Sequence, residues 1–224
     1  MVQLLQSKPK IILFLSLPGA GKGTQSAFLV EKYNFQYISI GSILREKAKS
    51  DKSIAQIQKE GKLVSDDRIR QLLKDELMKI GRAQNVLIDG YPRNNQQLKY
   101  LLEIQKELQL PEFLLIYLKA DPKILLKRLE KRLICPKCKN IPDSNSKSYR
   151  EKLCQKCKVR LIKRLDDDPK IVRKRISEDL IRQKPILKYF AAKNQLVYIN
   201  GNQSITATSN ELIKKLNDYN QKSE

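Results

Sequence analysis

Five short apolar runs punctuate the chain, at residues 10–15, 35–40, 86–88, 113–118 and 196–199. Each is too short for an ordinary helix and carries apolar side chains in succession, the pattern of a strand buried on both faces of a sheet. Between and after them lie longer stretches of helical pattern, at residues 25–33, 67–80, 95–108, 122–133, 171–192 and 209–219. Strands alternating with helices predict an α/β fold: a five-stranded parallel sheet with helices on both faces. Two stretches break the alternation. Residues 41–66 hold helical pieces with no strand, which reads as a small helical insert. Residues 134–163 have little apolar periodicity, contain all four cysteines and include the polar stretch 143–147. They read as a compact insert held by something other than an apolar core.

Composition narrows the chemistry. A length of 224 residues suits one ordinary domain with small inserts, and 41% hydrophobic with 31% charged residues describes a packed, soluble protein rather than a disordered one. No apolar run approaches the ~20 residues of a membrane span. Residues 1–10 are too polar and short for a signal peptide, so a cytoplasmic location is expected. Lysine and arginine number 45 against 24 acidic residues, a net charge of +21 that favours polyanionic partners or substrates. There is no histidine. That excludes Ser-His-Asp and Cys-His pairs, histidine-ligated metals and imidazole acid–base chemistry.

The first apolar run leads into Ser16-Leu17-Pro18-Gly19-Ala20-Gly21-Lys22-Gly23-Thr24 and then a helix. Gly19, Gly21 and Gly23 let backbone N–H groups close on phosphate oxygens, and the helix start adds its positive dipole end. Lys22 supplies a point charge for outer phosphates and Thr24 a hydroxyl near a magnesium ion. A plain glycine-rich turn is the bland alternative; the strand before and the helix after argue against it.

Pro18-Gly19-Ala20-Gly21-Lys22-Gly23-Thr24-Gln25 resembles the phosphate loop of adenylate kinases, although Ser16 stands where that family usually has glycine. The resemblance runs through nearly the whole chain. Ile38-Ser39-Ile40-Gly41-Ser42-Ile43-Leu44-Arg45 resembles the acceptor motif, with Ile40 for its threonine and Ser42 for its aspartate. Gly61-Lys62-Leu63-Val64 resembles the segment beside the acceptor base. Asp89-Gly90-Tyr91-Pro92-Arg93, with Gln97 following, resembles a further family motif. Arg164-Leu165-Asp166-Asp167 resembles the lid exit, and Asn200-Gly201-Asn202-Gln203 the turn that holds the donor adenine.

The resemblance implies a P-loop NTPase-like fold divided into core (1–39), an acceptor-binding insert (40–68), core (69–133), a lid (134–167) and core (168–224). It implies a nucleoside monophosphate kinase that transfers phosphate from ATP to AMP with magnesium and acts as a monomer. Such a reaction needs no general base, because the attacking phosphate oxygen is already ionised. By resemblance, Lys22, Arg132, Arg164 and Arg175 surround the transferring group, Arg45 and Arg93 hold the acceptor phosphate, and Asp89 orients magnesium. The donor site would comprise Gly19, Ala20, Gly21, Lys22, Gly23, Thr24, Arg128, Arg132, Ile141, Pro142 and Gln203. The acceptor site would comprise Ile40, Arg45, Lys62, Leu63, Val64, Gly90, Tyr91, Pro92, Arg93, Gln97, Arg164 and Arg175. Ile40 is expected to pack on a purine face and Gln97 to meet the adenine edge. Asp166 and Asp167 would steady lid arginines.

Cys135-x₂-Cys138 and Cys154-x₂-Cys157 have the knuckle spacing of tetrahedral zinc, here necessarily Cys₄. Disulfides or free thiols are the alternatives, the former disfavoured in a reducing compartment. The family has lids with and without zinc, and this one resembles the zinc type. Two other functions compete. A basic zinc-ribbon P-loop protein would bind nucleic acid, but aromatic residues are only 6% and none cluster beside the cysteines, so no specific nucleic-acid partner is expected. A UMP/CMP kinase of the same fold typically has a short lid without cysteines. Ser16, Ile40 and Ser42 also raise a catalytically weak relative.

Overall fold

The computed structural model describes residues 10–59, 64–80, 84–138, 140–163 and 167–221. Lys62, Leu63, Arg164 and Asp166 lie outside the described residues. Five strands, β1 (Ile11–Ser16), β2 (Gln36–Ser39), β3 (Val86–Asp89), β4 (Phe113–Lys119) and β5 (Leu196–Asn200), form one parallel sheet in the order β2-β3-β1-β4-β5. β1 is buried along its whole length, its apolar run from Ile11 to Leu15 ending in the buried Ser16. It pairs with β3 from Ile11↔Val86 to Phe14↔Asp89 and with β4 from Ile11↔Phe113 to Ser16↔Leu118.

The two-residue repeat of the strands divides the core. Ile11, Leu13 and Leu15 face one apolar cluster with α2 (Ile40–Lys47), α4 (Asp66–Ile80) and α5 (Asn95–Glu107). Ile12 and Phe14 face the other, with α1 (Lys22–Tyr33), α6 (Pro122–Lys131) and α9 (Ile205–Gln221). The long helix α8 (Pro169–Ala192) contributes Ile186 and Phe190 to the first cluster and Val172 and Ile176 to the second. α3 (Lys52–Lys59) joins α2 to complete the helical segment before α4. No helix among the described residues is long and apolar enough to cross a membrane.

Helix starts follow local chemistry. Ser39, Asn94, Asp121 and Asp168 each accept backbone N–H groups at the starts of α2, α5, α6 and α8, and α6 and α8 also have proline in the first turn. α1 differs. Its cap residue is Gly21, at φ 96°, with no side-chain oxygen on its N–H groups. This helix begins at Lys22, three residues before the periodicity predicts, because Lys-Gly-Thr carries no apolar signal.

The cysteine-bearing segment has its own small cluster of Cys135, Cys154 and Leu161. Antiparallel bridges Ile134↔Ile162 and Leu153↔Arg160 close it, and the short helix α7 (Lys147–Arg150) is tied back by the Tyr149 hydroxyl donating to the Lys131 carbonyl at 2.6 Å.

Candidate active site

The carboxyl ends of the strands gather the polar residues. β1 ends at Ser16 and runs through Leu17–Gly21 into α1. Gly19 and Gly21 have φ of +84° and +96°, which side chains with a Cβ rarely adopt. At Gly19 a Cβ would stand 2.8 Å from Leu129 Cγ, so that glycine also permits α6 to pack against the loop. The N-terminal N–H groups of α1 carry its positive dipole end.

Lys22 and Asp89 form a direct ion pair, with 22% and 9% of their side chains exposed. The second Asp89 oxygen accepts the Tyr37 hydroxyl. Gly90, at φ +75°, turns the chain so that a Cβ there would lie 3.3 Å from Arg93 Nη2 and 3.5 Å from Lys22 Nζ. Arg93 Nε donates to the Gly90 carbonyl at 2.9 Å. Two cations and a carboxylate thus meet beside the glycine-rich loop. Burial and the Arg93 guanidinium draw the Lys22 pKa down to about 7, and Asp179 on α8 works against them. The direct Asp89 contact acts in the same sense as Asp179. Burial likewise raises the Asp179 carboxyl, against the pull of Arg93, Arg175 and Arg182.

On the β2–β3 flank, the Arg45 guanidinium lies over Gly41, 3.2 Å from where a Cβ would be, and donates to Ser42 Oγ at 2.9 Å. Val64 and Tyr91 are buried in the same apolar cluster as Ile40, and Pro92 is buried as well, the Tyr91–Pro92 bond being cis. Ile40 is only 6% exposed and packs in the core, so it offers a base far less surface than its sequence position suggests. Gln97 is also buried, with both ends of its amide engaged by protein groups.

The β4–β5 flank carries the turn at residues 200–203. Arg128 donates to the Gly201 and Gln203 carbonyls at 2.6 and 3.3 Å, so its guanidinium braces that turn. Glu211 accepts from the Asn200 N–H at 3.2 Å and from the Gln203 amide. Arg132 makes a two-pronged contact with the buried Asp167, one prong Nε to Oδ2 at 2.8 Å. Ile141 is exposed and Pro142 half-exposed in the cysteine-bearing segment.

The four cysteine sulfurs lie within 4.8 Å of one another. Cys138 and Cys154 Sγ are 3.7 Å apart, and the Cys138 N–H donates to Cys135 Sγ at 3.4 Å. Four sulfurs placed tetrahedrally at the ~2.3 Å of a zinc–thiolate bond stand about 3.8 Å apart, so this donor set fits a zinc ion.

Motifs do not announce several of these contacts. Tyr37 reaches Asp89 because β2 and β3 pair with Ser39 opposite Asp89. Asp179 enters through the packing of α8. Gln183, one turn further, donates to the Ser16 carbonyl at 3.4 Å, which anchors the loop entrance where the sequence departs from glycine. Polar residues on the inner face of α8 were the available signal.

Residues 14–195 match the family model described as adenylate kinase. An adenylate kinase of Wolbachia pipientis wMel is 37% identical over 213 residues, covering 92% of this chain and 97% of the relative. One of Mycoplasmoides gallisepticum is 35% identical over 86% of this chain and 92% of its own. One of Kosmotoga olearia is 32% identical over 92% and 98%.

Proposed function

Because the chain belongs to the adenylate kinase family of phosphotransferases, we propose that its reaction is the reversible magnesium-dependent transfer ATP + AMP = 2 ADP. The observation that carries this is the meeting of Lys22, Asp89 and Arg93 at the glycine-rich loop, between an arginine-bearing flank and a braced turn. Two polyanions can be held in line there with cations on every side.

In this reading, the backbone N–H groups of Gly19, Ala20, Gly21, Gly23 and Thr24, with Lys22, bind the donor phosphates. The Gln203 turn, braced by Arg128, takes the adenine, with Ile141 and Pro142 closing over it. Arg45 and Arg93 grip the acceptor phosphate, fixed guanidinium forks being suited to two oxygens at once. Ile40, Val64 and Gln97 border the acceptor base, with Lys62 and Leu63. Arg132, Arg164 and Arg175 complete the charge around the transferring group. Asp89 and the Thr24 hydroxyl would hold magnesium, Asp89 through the ion's waters; the ion supplies charge neutralisation at the donor phosphates. No residue needs to remove a proton, which is compatible with a chain lacking histidine. The segment bearing Cys135, Cys138, Cys154 and Cys157 would hold zinc in a structural role and act as a lid that excludes water. The enzyme would work as a monomer.

The test is an ADP-forming assay with ATP and magnesium against AMP, GMP, CMP and UMP at equal concentration. AMP is expected to be the best acceptor. Faster turnover of CMP or UMP would leave only the wider class of nucleoside monophosphate kinases.

A further inference from the structure

A glutamine side chain presents an acceptor and a donor of nearly equal shape. Which way round it is held decides which base edge it complements. Gln97, in the first turn of α5 and 5% exposed, has no freedom in this respect. The backbone N–H of Arg93 donates to its Oε1 at 2.7 Å, and a backbone N–H cannot accept. Asp66 Oδ1 accepts from its Nε2 at 2.7 Å, and a carboxylate offers only acceptors. Turned over, the amide would set N–H against N–H and oxygen against carboxylate.

Asp66 is itself held. Its Oδ2 accepts from Asn94 Nδ2 at 3.0 Å, while Asn94 Oδ1 accepts the Gln97 backbone N–H at 2.8 Å. The arrangement joins the start of α4 to the start of α5 and ends on the residue that follows Pro92. Each end of the Gln97 amide keeps one unused valence, a lone pair on Oε1 and a hydrogen on Nε2. Adenine's amino group and N1 match that pair in order. Hypoxanthine and guanine present the reverse, a carbonyl and an N1–H, so oxygen would meet oxygen and N–H would meet N–H.

We infer that Asp66 is a positioning residue that makes the acceptor site selective for a 6-aminopurine by fixing the orientation of the Gln97 amide. This rests on the reading that Gln97 borders the acceptor base. Asp66 has no need to touch the nucleotide; it acts through the side chain it holds.

AMP and IMP differ only at the six-position and N1, so their comparison isolates this effect from ring size. The wild type is expected to favour AMP over IMP in kcat/KM by at least ~100-fold, as sites that hydrogen-bond their substrate reject mismatched groups strongly. In Asp66→Ala that ratio should fall at least about tenfold, through a higher KM for AMP with kcat little changed. In a Gln97→Ala background, adding Asp66→Ala should leave the ratio unchanged within about twofold. A ratio unaffected by Asp66→Ala, or an equal fall without Gln97, would overturn the inference. Should Asp66→Ala fail to fold, Asp66→Asn replaces it; this variant has a single side-chain oxygen where Asp66 uses one for Gln97 and the other for Asn94, and a lower ratio is again expected. A second readout separates the two layers of the argument. In substrate-free protein, the Gln97 side-chain amide NMR signal, assigned by its loss in Gln97→Ala, should exchange with solvent slowly and do so much faster in Asp66→Ala. Equal turnover of IMP and AMP by the wild type would overturn the acceptor reading and the selectivity, even if that signal showed Asp66 holding Gln97. AMP preference with an amide signal and a ratio both indifferent to Asp66 would overturn the inference alone.

Discussion

Lys22 stands between two demands, an ion pair with Asp89 and a position at the mouth of the phosphate loop. Lys22→Met removes one charge from the first residue of α1, whose side chain is 22% exposed, and should leave the fold intact while turnover falls by at least ~10³. Circular dichroism alongside the ADP-forming assay checks both halves. Its lowered pKa has a further consequence. Burial draws its pKa down to about 7, and phosphates favour the ammonium, so ATP binding is expected to raise that pKa again and take up protons. Proton uptake, measured calorimetrically in buffers of different ionisation enthalpy, should be larger at pH 8 than at pH 6. In Lys22→Met that difference should vanish. Much of this was legible in sequence, because glycine-lysine spacing is a local property of the chain. Tyr37, Asp66 and Asp179 were not legible, since each owes its place to strand pairing or helix packing between distant segments. Ile40 holds a motif position expected at a base face, and the core takes up nearly all of its side chain.

Among the elements, the strands were the easiest to read and the helix ends the hardest. Apolar runs mark buried strands directly, whereas α1 and α9 begin three and four residues before their apolar repeats, at Lys22 and Ile205. α8 continues through Pro185, which the packing of Ile186 and Phe190 tolerates. The cysteine-bearing segment was legible as an insert, and its spacing named the four sulfurs that the structure brings within 4.8 Å of one another. Its core is Cys135, Cys154 and Leu161 with Leu133, Cys138, Cys157 and Val159 packed against it, a small one that a bound metal would stabilise. Protein prepared under reducing conditions should therefore carry about one zinc per chain, which metal analysis will read. Chelation should lower the melting temperature more than it lowers activity well below that temperature, because Lys22, Arg93 and Asp89 lie outside the segment.

At the scale of the whole molecule, the +21 charge exceeds what the proposed site can use. Many of its lysines are spread over exposed faces of several helices, some paired along one helix, such as Lys147 with Glu151 and Lys215 with Glu211. Surface pairs of this kind add little stability and leave a diffuse positive field. Non-specific binding to single-stranded nucleic acid is expected at low salt and should be lost by ~200 mM, a fluorescence anisotropy titration being the check. Persistence above that concentration would favour a nucleic-acid-binding role.

The sheet is also a partition. Leu13 and Phe14 are neighbours in sequence, yet one belongs to the apolar cluster that holds Ile40 and Leu98 and the other to the cluster that holds Leu29 and Leu212. The helices that reach these clusters sort the same way except α8, which starts in the second cluster and finishes in the first. It passes the phosphate loop midway, where Gln183 holds the Ser16 carbonyl. One continuous helix thus belongs to both faces of the sheet, so the two apolar clusters share a mechanical element.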